Sequence, residues 1–354
     1  MANSTYNPKN IIVCCDGTAN RFTQEGNNTN VVRFFCLLDQ SEPERQIAYY
    51  DPGVGILTLG PFATVYDYFD RATGYGIDKN IKDAYQYLMN SYEEGDRIFL
   101  IGFSRGAYTV RTLSGLLNRC GLLHKRNLNL IDDAYYYYIR QGDTPQEIEL
   151  SEETAKKFKS NFSRDVEIYC IGVWDTVKAV LAGSVRGELF HDRRLSSNVK
   201  FGYQALAIDE HRTMFDPELW DWRVNLGQEI TQVWFAGVHA DIGGSYPEDG
   251  LANISLNWMI AQISQHGIYF KSEVPDKLPI PDPCAVMHDE YKVGVWSMLG
   301  SKRRVIPEGA LIHDSVAQRI NRCGGGYNPP LPKHHTFVPT LPITGNQLNK
   351  VIQG

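Results

Sequence analysis

The sequence lacks the segments that mark membrane-spanning and secreted proteins. No apolar run reaches the roughly 18 residues that a transmembrane helix requires. The N-terminal stretch MANSTYNPKN contains no apolar core of a signal peptide. These absences predict a protein that is cytoplasmic when it is made, with export by a route that reads no cleavable signal left open.

Basic runs are also missing. The formal net charge is −6 at pH 7, and no stretch is rich in Lys and Arg. Because proteins that bind nucleic acids present clustered positive charge to the phosphates, we expect no nucleic-acid partner.

Regularly spaced cysteine pairs are absent as well. The vicinal pair Cys14-Cys15 is awkward to bridge within a strand, and an odd number of cysteines argues against a disulfide framework. We therefore expect reduced, buried thiols. The seven cysteines, none of them in a CxxC pair, are Cys14, Cys15, Cys36, Cys120, Cys170, Cys284 and Cys323.

Apolar residues are plentiful enough for a large core. The 354 residues are 43% hydrophobic and 21% charged, which is ordinary for a soluble globular protein. Since α/β folds often extend one sheet beyond the usual domain size, we predict a single domain over residues 1–354.

Apolar runs alternate with stretches of helical period. Parallel strands need crossover connections, so this alternation predicts an α/β fold with a mostly parallel sheet and helices on both faces. Each predicted strand is followed by polar residues, which places reactive side chains at the carboxyl ends of the strands. The predicted strands are 11–15, 46–50, 97–101, 166–173 and 230–238, and the predicted helices are 30–38, 78–91 and 107–117.

Two regions fit this alternation less well. Residues 121–165 have a helical and peripheral character, whereas residues 270–354 are rich in Pro and Gly. For the latter segment a cap, a partner surface and packing against the sheet are all open interpretations.

The motif Gly102-Phe103-Ser104-Arg105-Gly106 matches G-x-S-x-G between a predicted strand and a predicted helix. In this context the serine lies on a sharp turn, and only small residues fit two positions before and after it. We predict that Ser104 is a nucleophile and that the amide of Arg105 faces a developing oxyanion. The alternative is a strand-to-helix turn with a capping serine.

A serine nucleophile needs a histidine base and a carboxylate that orients it. Asp175 and His239 each end a later predicted strand, and we assign them these roles. The alternatives are a helix cap for Asp175 and a buried core residue for His239. His313 is the reserve base. The remaining histidines lie in contexts where a solvated side chain is expected: His124, His191, His211, His266, His288, His334 and His335.

Asp16-Gly17-Thr18 follows the first predicted strand, and a backbone amide of Gly17 or Thr18 is the predicted second oxyanion donor. We expect Asp16 and Asp241 to anchor loops. Binding of a cation by these carboxylates is the weaker alternative, since they show no recognised ligand spacing. The chemistry requires no cofactor and no metal.

The stretch from Leu57 to Tyr75 is rich in Gly and aromatic residues. It is a candidate lid or acyl channel, although aromatic residues at helical spacing more often belong to a core. Its candidate lining residues are Phe62, Tyr66, Tyr68 and Phe69.

Several blocks together make the sequence resemble the DUF2235 family, which includes the catalytic domain of type VI secretion phospholipase effectors of the Tle1 type. The blocks span most of the chain in the family's order. They are Cys15-Asp-Gly-Thr18, Gly102-Phe-Ser-Arg-Gly-Ala-Tyr-Thr109 with Arg111, Gly172-Val-Trp-Asp-Thr176, Ala207-Ile-Asp-Glu210 and Val233-Trp-Phe-Ala-Gly-Val-His-Ala-Asp-Ile-Gly-Gly244.

The resemblance implies an α/β-hydrolase that cleaves the acyl esters of phospholipids with Ser104, Asp175 and His239, and it demotes His313. It also implies an ester or phospholipid substrate, with peripheral membrane contact as a further option. A large module for membrane engagement, which the secreted effectors carry, is not seen. A soluble ester, a lipid reached by recruitment and a toxin that needs a carrier therefore all stay open.

Two other functions compete with a serine esterase. One is a metal-assisted phosphoesterase that uses Asp16, Asp175, Asp241 and His239, in which Ser104 is structural. The other is a non-catalytic interaction protein on a hydrolase scaffold, which the intact Ser104, Asp175 and His239 argue against.

Overall fold

Eight parallel strands form the centre of the protein in the computed structural model. The structure describes residues 6–17, 27–53, 75–140, 142–177, 193–272, 274, 278–292 and 300–341. The strands are β1 (Asn10–Cys15), β2 (Gln46–Asp51), β3 (Arg97–Phe103), β4 (Ile168–Trp174), β5 (Val199–Ala207), β6 (Glu229–Phe235), β7 (Ala310–His313) and β8 (His335–Val338). Their order in the sheet is β8-β7-β6-β5-β4-β3-β1-β2, so the predicted α/β fold with a mostly parallel sheet is confirmed.

Helices cover both faces of this sheet, as a parallel sheet requires. They are α1 (Asn30–Leu37), α2 (Tyr75–Ser91), α3 (Arg105–Cys120), α4 (Ile131–Ile139), α5 (Pro145–Phe162), α6 (His239–Gly243), α7 (Gly250–Ser264) and α8 (Asp314–Arg322). Three 3₁₀ turns (Lys125–Leu130, Thr213–Phe215 and Glu290–Lys292) and a two-residue antiparallel pair, Leu122–Leu123 with Ser163–Arg164, complete the described elements. None of the described helices combines the length and apolar character that crossing a bilayer requires.

The alternation of side chains along β1 explains the two apolar layers. Ile11 and Val13 pack with residues of α2, α3 and α4 on one face. Ile12 and Cys14 pack with residues of α1 and α7 on the other. Because successive side chains of a strand point to opposite faces, a run that is apolar throughout marks a strand covered on both sides.

The segment after residue 300 extends the sheet. β7 pairs in parallel with β6 and with β8, and Ile306, Ile312 and Val316 form a third apolar cluster with Trp234 of β6. In the segment 270–354, the part after residue 300 therefore contributes two strands to the sheet and packs against it.

One cysteine pair differs from the prediction. Cys284 and Cys323 form a disulfide, although reduced thiols were expected throughout. Their separation of 39 residues matches no local motif, so only the fold brings them together. Cys36 is free but exposed, and the expectation of free, buried thiols is confirmed for Cys14, Cys15, Cys120 and Cys170.

The chain reverses its direction of travel across the sheet next to β1. It passes from β1 to β2 on one side and then returns to β3 on the other. In open parallel sheets such a reversal leaves a crevice at the carboxyl ends of the strands, where binding sites form. Ser104 directly follows β3 at this point.

Candidate active site

Ser104 occupies a strained turn between β3 and α3. Its backbone has φ 57° and ψ −121°, a conformation that is uncommon for a residue with a side chain. A Cβ atom on Gly102 would lie 2.6 Å from the carbonyl oxygen of Gly106. A Cβ atom on Gly106 would lie 2.6 Å from the carbonyl oxygen of Asp16 and closer still to that of Cys15. Both glycines of the motif are therefore required by backbone contacts.

His239 lies next to this serine. Its Nε2 is 2.8 Å from Ser104 Oγ, and its Nδ1 is 2.6 Å from Asp175 Oδ2. The ring is held by Phe103, with centroids 4.6 Å apart, and by Phe215, whose ring is edge-on at 4.9 Å. The predicted position of His239 at the end of a strand is wrong in detail: β6 ends at Phe235, and His239 is the first residue of α6.

Asp175 directly follows β4 and is completely buried. It has a positive φ of 42°, and its Oδ1 accepts a hydrogen bond of 3.0 Å from the amide of Ala207. The structure thus brings together the three side chains that were predicted from separate strand ends, in the order serine, histidine, aspartate.

Burial and charge act in opposite directions on this group. Burial raises the pKa of Asp175, but the cation of Arg304 and the hydrogen bond of His239 outweigh it and hold that pKa well below its ordinary value. For His239, burial lowers the pKa below 6.5, and its hydrogen bond with Asp175 only partly offsets that effect. At neutral pH the pair is an ionised carboxylate and a neutral imidazole, which can accept a proton.

Arg304, which the sequence motifs did not indicate, binds Asp175. Its Nη1 lies 2.6 Å from Asp175 Oδ1, and its Nη2 lies 2.8 Å from Asp175 Oδ2. Arg304 is buried, whereas its neighbours Arg303 and Val305 are exposed. This alternation could not have been predicted from the sequence, because residues 303–305 belong to no strand of the sheet.

Glu210 supports the backbone of His239. Its Oε2 accepts a hydrogen bond of 3.3 Å from the amide of His239 and one of 2.7 Å from the guanidinium of Arg212. Burial raises the pKa of Glu210, but its hydrogen bond and ion pair with Arg212 lower it below the ordinary value. An ionised carboxylate therefore lies beneath the first turn of α6.

The glycines before and after His239 have separate packing roles. Gly237 has φ 126°, and a Cβ atom on it would lie 2.5 Å from Asp241 Cβ. A Cβ atom on Gly243 would overlap the ring of Phe103, which contacts His239. These contacts explain why glycine occupies positions 237 and 243.

Asp16 and Asp241 each bind loop residues through hydrogen bonds. Asp16 Oδ2 accepts hydrogen bonds from Thr29 Oγ1 at 2.7 Å and from the Tyr50 hydroxyl at 2.9 Å. Asp16 Oδ1 accepts one of 2.7 Å from the Gly17 amide. The amide of Gly17, a predicted oxyanion donor, thus already donates a hydrogen bond to the carboxylate of Asp16 in this conformation. Thr18, the other predicted donor, lies outside the described residues.

Asp241 Oδ2 accepts hydrogen bonds from the amides of Val238 at 3.0 Å and His288 at 3.1 Å. Its Oδ1 lies 2.7 Å from His288 Nδ1. His288 is therefore paired, which contradicts the expectation of a solvated side chain. No three His, Cys, Asp or Glu side chains converge as a metal-ligand group within the described ranges.

His313 and His266 also have defined surroundings. His313, the reserve base, lies at the end of β7, where Nδ1 is 2.9 Å from Ser315 Oγ and Nε2 is 2.8 Å from Thr340 Oγ1. The structure does not bring it to Ser104. His266 stacks on Phe201 and is 2.7 Å from the Tyr203 hydroxyl, so it too differs from the expected solvated state.

The candidate lid with Phe62, Tyr66, Tyr68 and Phe69 lies outside the described residues, and so does His191.

Comparisons with known proteins give the family of the chain. The family model of the type VI secretion (T6SS) phospholipase effector Tle1-like catalytic domain matches residues 9–262. An uncharacterized protein of Saccharomyces cerevisiae is 34% identical over 220 residues, which cover 58% of this chain and 32% of that protein. The chain thus spans less than two thirds of the length of this relative.

Two solved structures show a distant likeness. An uncharacterized protein from Pseudomonas aeruginosa shares 15% identity at a TM-score of 0.40, over 72% of this chain and 45% of that one. The Tle1 effector bound to the VgrG spike of the type 6 secretion system shares 18% identity at a TM-score of 0.35, over 68% and 52% of the two chains. At these scores the likenesses carry no argument about this protein.

Proposed function

The chain belongs to the family of Tle1-like catalytic domains of type VI secretion phospholipase effectors, and from this premise we propose that it is a serine hydrolase of carboxylic esters of the phospholipase A type. The observation that carries the proposal is the continuous hydrogen-bonded path from Ser104 Oγ through His239 to Asp175, at 2.8 Å and 2.6 Å. A serine hydroxyl is a weak nucleophile until an adjacent base accepts its proton.

In the proposed reaction, Ser104 Oγ attacks the ester carbonyl while His239 Nε2 takes the hydroxyl proton. The tetrahedral intermediate collapses when His239 returns that proton to the leaving alcohol, and an acyl-serine remains. Water, activated by the same imidazole, then attacks the acyl group and releases a fatty acid. Asp175 holds the tautomer that carries hydrogen on Nδ1 and stabilises the imidazolium that forms in each step.

The oxyanion of each intermediate needs donors that are fixed in advance. We assign the first donor to the amide of Arg105, which is the first residue of α3 and directly follows the nucleophile. The positive end of the α3 dipole points to the same place. The strained conformation of Ser104 supports this assignment, because it lifts Oγ above the sheet beside the helix terminus.

The test is hydrolysis of short-chain and long-chain p-nitrophenyl esters and of phospholipid vesicles by the wild type and by Ser104→Ala. We expect the substitution to lower kcat by roughly 10⁴- to 10⁶-fold, with no effect of a chelator. Ser264→Ala is the matched control: this serine is also buried, but its hydroxyl binds Ala261 O within α7 at 3.0 Å. Full activity of Ser104→Ala that disappears with chelator would instead support a metal-assisted esterase.

The base is tested in the same assay with two histidine variants. His239→Gln should abolish activity, whereas His313→Gln should retain most of it because His313 is bonded to Ser315 and Thr340. The opposite ranking would exclude His239 as the base.

A further inference from the structure

Asp175 is held by a residue from the far end of the described chain. We propose that Arg304 is a positioning residue for the reaction, which fixes both the orientation and the charge of the Asp175 carboxylate. This inference rests on the proposed serine hydrolase. It assigns a role to a side chain that lies beyond residue 262, where the family match ends.

The geometry leaves the carboxylate one orientation. Each Asp175 oxygen faces a different nitrogen of the guanidinium, at 2.6 Å and 2.8 Å. Oδ1 has the Ala207 amide as a second donor, and Oδ2 has His239 Nδ1. A planar, two-pronged guanidinium matches a carboxylate in a way that a point charge does not. Rotation of the carboxylate toward or away from His239 would break both contacts with Arg304.

Arg304 also braces the surroundings of the imidazole. Nη1 donates to the carbonyl of Ala207 at 2.8 Å, and Nη2 donates to the carbonyl of Phe215 at 2.6 Å. The ring of Phe215 contacts the edge of His239. One buried guanidinium therefore connects the ends of β4 and β5 and the turn that carries Phe215, and all three border the reacting imidazole.

The positive charge of Arg304 also affects how readily Asp175 and His239 bind protons. The charged groups that face His239 are Asp175 and Glu210, which raise its pKa, and Arg212, which lowers it. Arg304 faces the same pair through Asp175. Removal of this cation must increase the affinity of the coupled Asp175–His239 pair for protons, whichever member binds the proton. A role in packing alone would lower activity equally at every pH.

The experiment compares the full-length wild type, Arg304→Met, Arg304→Lys and the control Arg303→Met. Arg303 is adjacent in sequence and exposed. A fluorophosphonate probe phosphonylates Ser104: the Oγ–P bond forms, fluoride leaves, and His239 takes the hydroxyl proton. The second-order rate constant of this labelling is measured across acidic and neutral pH, and mass spectrometry identifies the labelled residue. Ester hydrolysis is followed in parallel.

We expect the wild type to lose reactivity on acidification with a midpoint below 6.5, the ordinary value for histidine. Arg304→Met should be slower on the order of 100-fold, and its midpoint should move upward by roughly one pH unit or more. Arg304→Lys keeps the charge and loses the second prong, so its rate should fall while its midpoint stays near that of the wild type. Arg303→Met should match the wild type.

The two proposals fail in different ways. If the wild type is not labelled at Ser104 and hydrolyses no ester, the serine hydrolase is wrong and the role of Arg304 falls with it. If the wild type reacts and Arg304→Met reacts at the same rate with the same midpoint, only the role of Arg304 is wrong. An equal loss of rate at every pH, with an unchanged midpoint, also overturns it.

A variant that fails to fold is recognised by circular dichroism and thermal unfolding. Arg304→Ala with added methylguanidinium supplies the second measurement, because a small cation of matching shape can enter the vacated space. Recovery of the rate by methylguanidinium, but not by methylammonium at equal ionic strength, supports the positioning role. Absence of recovery in a folded variant that binds methylguanidinium contradicts it.

Discussion

Glycine is required beside Ser104 because a larger residue would collide with the neighbouring backbone. Gly106 lies against the backbone carbonyls of Cys15 and Asp16, which belong to β1 and the turn after it. The turn that carries Ser104 therefore packs directly on the neighbouring strand without an intervening side chain. The proposed nucleophile is therefore held by contacts between backbone atoms, which are less mobile than side-chain atoms.

Gly106→Ala should accordingly cost about 3 kcal/mol or more of unfolding free energy and remove most of the esterase activity, because backbone atoms cannot move aside as a flexible side chain can. Urea denaturation measures the first effect and ester hydrolysis the second. Gly309→Ala is the matched control: it has φ 79° and open space around the added Cβ, so it should cost only about 1 kcal/mol. Equal costs at the two positions would show that the contact with β1 is unimportant.

Residues that directly follow a buried strand could be predicted from the sequence. Ser104 and Asp175 each directly follow an apolar strand, and His239 lies four residues after the end of one. The local pattern therefore locates all three. Arg304 could not be found in this way. Its burial depends on the ends of β4 and β5, which are distant in sequence. In the sequence it follows Lys302 and Arg303, which are exposed, and no pattern distinguishes it from them.

Between elements, the start of α1 is connected to the end of β1. Thr29 is the N-cap of α1: its hydroxyl accepts a hydrogen bond from the Val32 amide at 3.3 Å and donates one to Asp16 Oδ2 at 2.7 Å. Thr144 caps α5 with a hydrogen bond of the same length, 3.3 Å from the Glu147 amide, but it is exposed. The two threonines differ in what lies behind the cap.

Thr144→Ala should therefore cost about 1 kcal/mol, as expected for an exposed cap. Thr29→Ala should cost more, roughly 2–3 kcal/mol, because it also leaves the buried carboxylate of Asp16 with one donor fewer. Chemical denaturation compares the two variants, and ester hydrolysis should decline only in Thr29→Ala. A smaller cost at Thr29 than at Thr144 would contradict the role of Asp16 as the link.

Elements were predictable where their pattern was long or uninterrupted. β1 and β3 are uninterrupted apolar runs after their first residue, and both were predicted. β5 was missed because it contains Lys200, Gly202 and Gln204. Gln204 resembles a surface residue, yet it is buried with hydrogen bonds to Thr176, Glu218 and Gln232. β7 and β8, of four residues each, are too short for any period to appear.

Across the whole molecule, the disulfide Cys284–Cys323 connects a loop to the residue that follows α8. That loop also carries His288, whose amide and ring bind Asp241 in α6. The covalent link therefore restrains a segment that packs beside the proposed base.

Replacement of both residues, as Cys284→Ser with Cys323→Ser, should lower the unfolding free energy by about 2–4 kcal/mol, because it releases a closed loop of 39 residues in the unfolded chain. Thermal and chemical unfolding measure the effect, and reductant should reproduce it in the wild type. Cys36→Ser, at an exposed free thiol, is the control. Equal stability with and without reductant would argue against the bridge in solution.

The buried ion pair between Asp175 and Arg304 also has a temporal consequence. A ribosome makes the chain from its N-terminus, so Ser104, Asp175 and His239 all emerge before Arg304 does. A carboxylate buried without its partner costs several kcal/mol, so we expect the surroundings of Asp175 to pack fully only after residue 304 has been synthesised. A nascent chain that already contains Ser104, Asp175 and His239 therefore still lacks the cation that holds the Asp175 carboxylate, until residue 304 has been added.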